Sequence, residues 1–361
     1  MRAAQHFRRV LACKSYRNAA KSDHFSHIEK ILPLCTTEKR VSVSLRDVLT
    51  SYKELKAATD SEISRLSGKD APGKESLYTE LLWLVEDTLA SSVEDWRAIL
   101  RQGESEFLNS GSSQEVESRL SVDELQDLWS YRIKERVPIQ YILGTASWYD
   151  LELRVGSGVL IPRPETEVLL DYALKALKEN ESLCDEPWLD LGTGSGALAI
   201  GIALHADQDF NLPLKVQAVD ASEKALKYAE ENVERYHLRD RVQLFQGSWF
   251  EPIEESQKFA GIVSNPPYIP GPEMHDLQAE VRLHEPSKAL TGGVDGMEDL
   301  VLIATQAPKF LVPCGFLGLE TGSAKQAYEL KELLSKLSFS EVQVLSDLSG
   351  VERFVTALAP N

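Results

Sequence analysis

The chain has 361 residues, 43% of them hydrophobic, with 39 basic and 56 acidic side chains and a formal net charge of −17. That length accommodates two domains with a real apolar core, and an excess of acid on this scale repels phosphates, which argues against direct nucleic-acid binding. Its four cysteines (Cys13, Cys35, Cys184, Cys314) form no C-x-x-C pair or His/Cys cluster, so neither a metal site nor a disulfide framework is expected, and no apolar run reaches the roughly 18 to 20 residues that span a membrane.

Residues 1–40 read as a transit-like or disordered segment. The first 22 residues carry six basic side chains (Arg2, Arg8, Arg9, Lys14, Arg17, Lys21) and no acid. Phe7, Val10 and Leu11 lie near one another on a helical projection, and the longer apolar core of a secretory signal is missing. Import into an organelle, a mitochondrion or a chloroplast, is expected. The rest of the chain holds 33 basic against 56 acidic residues, a balance of −23, which suits a basic protein partner.

Residues 41–140 read as a helical domain. Ser44 is a plausible cap for a helix opening Leu45-Arg46-Asp47-Val48-Leu49, and Ser67–Gly73 reads as a linker. A helix is predicted over Glu75–Ala90, where Leu77, Leu81, Leu84, Val85 and Leu89 follow helical spacing, and a short one over Val93–Leu100. The polar stretch Glu104–Glu115 reads as loop. Ser121-Val122-Asp123-Glu124 is a capping box for a helix running to Glu135. Residues 141–164 read as a β-hairpin connector: Trp148–Val155 partly alternates, Gly156-Ser157-Gly158 turns, and Val159-Leu160-Ile161 returns.

Residues 165–361 alternate strand and helix. A helix opens at Arg163-Pro164-Glu165-Thr166-Glu167, with proline early and acids in the first turn. Strands are predicted to begin at Pro187, Leu214, Val242, Phe259, Gly315, Val342 and Arg353, with helices over Ala197–Ala206, Glu223–Tyr236, Gly296–Leu311 and Ser323–Leu337. This alternation predicts an α/β, seven-stranded, doubly wound sheet of Rossmann-like type beside the smaller helical domain. Only Leu348–Val351 separates the last two strands, too short for a crossover helix, so they should form an antiparallel hairpin.

Two motifs carry chemistry. Trp188-Leu189-Asp190-Leu191 runs into the glycine-rich turn Gly192-Thr193-Gly194-Ser195-Gly196, where glycines permit positive φ and close approach of a ligand. The next strand ends in Asp220, whose carboxylate can chelate two ribose hydroxyls. After the strand at Phe259 comes Asn265-Pro266-Pro267-Tyr268. Two prolines stiffen the chain and remove two backbone donors. Asn265 offers a side-chain carbonyl and Pro266 a main-chain carbonyl, two acceptors for one planar –NH₂ group. Tyr268 offers a flat face to stack on it. The two motifs together are a site for transferring a group to a planar nitrogen.

With these residues the chain resembles the S-adenosylmethionine-dependent amino-methyltransferases, and within them the HemK/PrmC type of release factor glutamine methyltransferase. Pro138-Ile139-Gln140-Tyr141-Ile142-Leu143-Gly144, Leu160–Glu167, Gln246-Gly247-Ser248-Trp249-Phe250, Val281-Arg282, Glu285-Pro286, Gly292-Gly293 and Asp295-Gly296 match in order, over about residues 120 to 358. The resemblance implies methyl transfer from S-adenosylmethionine to N5 of the glutamine in the Gly-Gly-Gln motif of a peptide chain release factor, here an organellar one. It further implies that Gly192, Thr193, Gly194, Ser195, Gly196, Asp220, Trp249 and Asn265 bind the cofactor. Asn265, Pro266, Pro267 and Tyr268 would grip the substrate amide, with Asn265, Pro266 and Tyr268 at the catalytic centre. The helical domain would dock the factor. Two departures stand out: Ser248 where relatives carry Asp, which implies weaker cofactor binding or a water bridge, and Glu320-Thr321-Gly322 where they often show Glu-His-Gly. The competing readings are an N6-adenine DNA/RNA methyltransferase, which uses the same tetrapeptide on a flipped base, and a silent protein that only binds a release factor. Nothing in the chain assigns an oligomeric state.

Overall fold

The computed structural model describes residues 40–64, 72–89, 92–111 and 114–361. The transit-like segment expected over 1–40 thus lies outside the described residues except for residue 40, as does the linker from Ser67 to Ala71. The described chain divides into two compact units. One runs to Gly144 and takes in Leu277–His284; the other comprises Thr145–Asp276 and Glu285–Asn361. Among the described residues no helix is long and apolar enough to cross a membrane.

The first unit is mainly helical. Helices span Leu45–Ile63, Lys74–Leu89, Val93–Gln102 and Val122–Glu135. Ser44 caps the first by accepting from Arg46 N, and the capping box between Ser121 and Glu124 forms reciprocally. The five predicted apolar positions from Leu77 to Leu89 are all buried, each removing a side chain from water at about 1.5–3 kcal/mol. Two expectations fail here. The stretch Glu104–Glu115 contains the helix Glu104–Asn109, and its last residue opens the strand β2, Glu115–Ser118, which pairs antiparallel with β1, Val41–Ser44. That pairing joins residues more than seventy positions apart, so no local pattern announces it. Within this unit Arg132 is 2% exposed and bridges Glu80 (2.7 Å) and Glu280 (3.0 Å), while Arg136 also binds Glu280. These ion pairs hold the segment Leu277–His284 to the helices. Removing Glu280 would take away a carboxylate shared by two largely buried guanidinium groups, leaving Arg132 with Glu80.

The second unit begins with a hairpin, β3 (Thr145–Trp148) and β4 (Leu151–Arg154). A hairpin was expected, but its turn is Tyr149-Asp150, with Tyr149 at φ 56°, and Val159–Ile161 forms no strand. The glycines there serve packing instead: a Cβ on Gly156 would lie 2.1 Å from the Tyr228 hydroxyl, and one on Gly158 would lie 2.8 Å from the Lys224 side chain.

Seven further strands make one sheet: β5 (Trp188–Leu191), β6 (Val216–Asp220), β7 (Val242–Gln246), β8 (Phe259–Ser264), β9 (Leu311–Glu320), β10 (Ser340–Ser346) and β11 (Glu352–Leu358), in the order β10-β11-β9-β8-β5-β6-β7. β5 to β9 are parallel, and the predicted β10–β11 antiparallel hairpin is present. Helices Glu167–Glu179 and Ala197–Phe210 cover one face; Glu298–Gln306 and Ala324–Lys336 cover the other. Alternation splits the strands between these layers, with Trp188, Val216 and Ala218 on the first side and Leu189, Leu191 and Val219 on the second. The helix expected over Gly296–Leu311 is shorter, because Pro308 lacks the N–H a continuing helix needs and the chain tightens into a 3₁₀ turn at Ala307–Lys309. β9 therefore starts earlier than the predicted Gly315, with an irregular register between Phe259↔Leu311 and Gly261↔Phe316.

This topology positions the site. β5 pairs with β6 on one side and β8 on the other, so the strand order reverses at β5/β8 and the loops splay apart there. The register sets Leu191 beside both Val219 and Ser264. The glycine-rich turn, Asp220 and Asn265 consequently leave the sheet at one level.

Candidate active site

The glycine-rich turn is tied to the neighbouring strand through its main chain. Gly192 N and Thr193 N donate to Val219 O at 2.9 and 3.0 Å, and Gly194 N donates to Asp220 Oδ2 at 2.8 Å. Ser222 N donates to Asp220 Oδ1 at 2.8 Å, so each oxygen of Asp220 keeps lone-pair capacity for a further donor. Burial raises the Asp220 carboxyl above its ordinary pKa, opposed by those two N–H groups. Gly192 has φ 74°, and a Cβ there would meet the Trp249 ring at 3.3 Å, so only glycine fits both the turn and its neighbour. Trp249, itself at φ 50°, donates Nε1–H to Asp299 Oδ1 at 3.0 Å.

Asp190 lies beneath this turn, 1% exposed. Its Oδ2 accepts from Thr193 Oγ1 (2.6 Å) and Ala199 N (3.1 Å), whereas its Oδ1 has no partner. Burial pushes this carboxyl up to about 7, with the charge of Asp220 adding to the effect.

Asn265 follows β8, whose Ser264 hydroxyl donates to Leu191 O at 2.6 Å and locks the two strand ends together. Asn265 Nδ2 donates to Thr166 Oγ1 (2.9 Å), and Thr166 donates to Glu320 Oε2 (2.6 Å). Tyr268 donates its hydroxyl to Glu320 Oε1 at 3.2 Å. Burial and the charge of Glu320 raise the Tyr268 phenol, which stays neutral. The loop is braced from outside: Ile269 N donates to Leu290 O, Gly292 N to Ile269 O, and Gln326 Nε2 to Tyr268 O. A Cβ on Gly292 would sit 2.4 Å from Pro267 O, and one on Gly296 would sit 2.1 Å from Tyr268 O. That is the physical content of the glycines in the downstream motifs.

These parts enclose a cavity of about 620 Å³ within the second unit. Of the sequence-predicted residues, Gly192, Thr193, Gly194, Ser195, Asp220, Trp249, Asn265 and Pro267 line it. Gly196, Pro266 and Tyr268 are not in its wall: Gly196 abuts Ile200 and Ala229 at the helix start, Pro266 is buried, and Tyr268 points to Glu320. Sequence reasoning missed Asp190, Thr166, Asp299 and Glu320. For Asp190 a signal existed, an acid at the end of an otherwise apolar strand. Thr166 and Glu320 meet Asn265 and Tyr268 only through the fold. Among the described residues no group of three or more His, Cys, Asp or Glu is arranged to hold a metal.

A family profile, methyltransferase small domain, matches residues 166–297. The chain is 43% identical to the release factor glutamine methyltransferase of Thermosynechococcus vestitus over 247 residues, 68% of this chain and 82% of that protein. It is 44% identical to the enzyme of that name from Gloeobacter violaceus (66% and 80% covered) and 40% identical to that from Bacillus subtilis (62% and 76%). A solved methyltransferase from Pyrococcus furiosus is 23% identical with a TM-score of 0.42, covering 59% of this chain and 91% of that one. With 40–44% identity over 76–82% of the three release factor glutamine methyltransferases, the chain belongs to that family.

Proposed function

We propose that this protein transfers a methyl group from S-adenosylmethionine to N5 of the glutamine in the Gly-Gly-Gln motif of an organellar peptide chain release factor. The observation that carries the reading is one cavity walled on one side by the glycine-rich turn with Asp220 and Trp249, and on another by Asn265 and Pro267. The residues fit the cofactor. The unpartnered Asp190 Oδ1 is a buried carboxylate oxygen suited to a cation, and Asp220 has acceptor capacity for ribose hydroxyls. Gly192 leaves room for a ligand against the Trp249 ring.

Bound S-adenosylmethionine would supply an electrophilic methyl group on a sulfonium. The protein's task is then positional. An amide nitrogen is a poor nucleophile because its lone pair is delocalised. Asn265 Oδ1 and the Pro266 carbonyl accept its two N–H bonds, aim the nitrogen, and stabilise positive charge that develops on it. Orientation of this kind lowers barriers by about 7–11 kcal/mol in well-aligned intramolecular systems. Pro267 borders the amide from the cavity wall, Tyr268 fixes the loop through Glu320, and the helical unit docks the factor. The proton leaves after transfer, so no histidine base is assigned. Organellar import belongs to the same proposal: the basic, acid-free first 22 residues support it, and the cyanobacterial relatives favour the chloroplast.

The test is transfer of labelled methyl by the full chain to a release factor, to its Gly-Gly-Gln variant with Gln→Ala, and to single-stranded DNA and RNA. Label on the wild-type factor alone is expected. Label on nucleic acid with none on the factor would replace this reading with the adenine one.

A further inference from the structure

An asparagine amide has nearly isosteric ends, one a donor and one an acceptor. Using its oxygen on a substrate requires something that tells those ends apart. At Asn265 the discriminating group is two hydrogen bonds away. Glu320, at the end of β9, is fully buried. As a carboxylate it only accepts, so Thr166 must turn its hydroxyl hydrogen towards Glu320 Oε2 (2.6 Å). That leaves Thr166 Oγ1 a lone pair for Asn265, and only the Nδ2 end can use it, at 2.9 Å. The opposite amide orientation would set Asn265 Oδ1 against an oxygen with no hydrogen to give.

We infer that Thr166 and Glu320 are positioning residues for the methyl transfer proposed above, holding the Asn265 amide with its oxygen directed away from them for the substrate's N–H. The inference rests on that reading of the site. Neither residue need touch the reacting atoms. The same carboxylate takes the Tyr268 hydroxyl on Oε1 at 3.2 Å, so one buried acid orients two members of the tetrapeptide. Loss of any link leaves a buried polar group unpaired.

The chain of bonds has a direction only while Glu320 is ionised. Burial pushes its carboxyl up to about 7, reinforced by the charge of Glu165 and opposed by the Thr166 and Tyr268 hydrogen bonds and the charge of Arg353 on β11. Arg353 is itself paired with Asp347 at 2.8 Å. Once protonated, Glu320 can donate to Thr166 Oγ1. The Thr166 hydroxyl is then free to donate to Asn265 Oδ1, and nothing holds the amide in one orientation. The ionised form prevails above about 7, so the correct orientation is kept at higher pH and lost as pH falls through that value.

The experiment uses the full chain with S-adenosylmethionine and a release factor, comparing wild type with Thr166→Val, Thr166→Ser and Glu320→Gln. It reads kcat, KM for the factor, the Kd for S-adenosylmethionine, and kcat against pH. Thr166→Val should lose about tenfold to a hundredfold in kcat with cofactor affinity within about twofold. Thr166→Ser should recover most of that loss. Wild-type kcat should fall below about pH 7, and Glu320→Gln should be slow and flat over the same range. Wild-type-like kcat in a folded Thr166→Val protein would overturn the inference. So would a loss of cofactor affinity in parallel with kcat, which marks a merely structural role. Should Thr166→Val not fold, a pH limb that persists in Glu320→Gln overturns it equally. Failure of the wild type to label any factor would instead sink the functional reading.

Discussion

The two walls of the cavity are held by different physics. The glycine-rich wall is local: its N–H groups bond Val219 O and the Asp220 carboxylate one strand away, and its shape follows from positive φ at Gly192, Gly194 and Gly196. The Asn-Pro-Pro-Tyr wall is held from a distance, by Thr166 99 residues upstream, Gln326 58 residues downstream and the backbone of Leu290–Gly293. The lesson is that a wall made of main chain tolerates substitutions that preserve φ, whereas a wall made of side-chain bonds fails when any remote partner is changed. Changes on the first side should therefore appear as cofactor affinity and those on the second as turnover.

Four predictions test that division. Asn265→Ala removes the acceptor proposed to hold the substrate nitrogen and should cut kcat by about a hundredfold to a thousandfold, with the Kd for S-adenosylmethionine by calorimetry changed far less; a comparable loss of cofactor affinity would merge the two walls. Gly296→Ala forces a left-handed residue, φ 78°, to carry a Cβ 2.1 Å from Tyr268 O. It should cost about 1–3 kcal/mol, visible as a lowered Tm and slow turnover though the residue is outside the cavity wall. Asp220→Ala should raise the cofactor Kd about tenfold or more, since it removes both the proposed ribose acceptor and the anchor of Gly194 N; an effect confined to kcat would contradict the comparison. The smallest effect is in pH. Asp190 titrates at about 7 because it is buried, so its attraction for a cationic ligand is present above that pH and lost below it. Cofactor affinity should weaken by severalfold from pH 8 to 6 in wild type, and Asp190→Asn should be weak and level across that span.

The hairpin and the N-terminal sheet mark where local reasoning stops. At Trp148–Ile161 the apolar alternation predicts strands on either side of a glycine turn, yet the turn falls at Tyr149-Asp150, because Trp148, Leu151 and Leu153 bury together in the sheet's first layer. The glycines at 156 and 158 turned out to make room for Tyr228 and Lys224, neighbours that only the fold supplies. β1 and β2 are four-residue strands that, among the described residues, pair only with each other. The departure at Ser248 reads differently too: the acid beside Trp249 comes from Asp299, fifty positions on, and no spacing pattern reveals that.

The sequence by itself determined the strand–helix alternation of residues 165–361, the glycine-rich turn, the acid at Asp220 and the rigid tetrapeptide after β8. Those features follow from period, φ and missing N–H groups, which act within a few residues. Tertiary structure alone decided that Leu191, Val219 and Ser264 stand in register, and so that the two motifs share one cavity. It also decided that Thr166 and Glu320, 154 residues apart, meet behind Asn265. The orientation of a buried amide depends on which donors and acceptors surround it, and those are chosen by packing across the sheet.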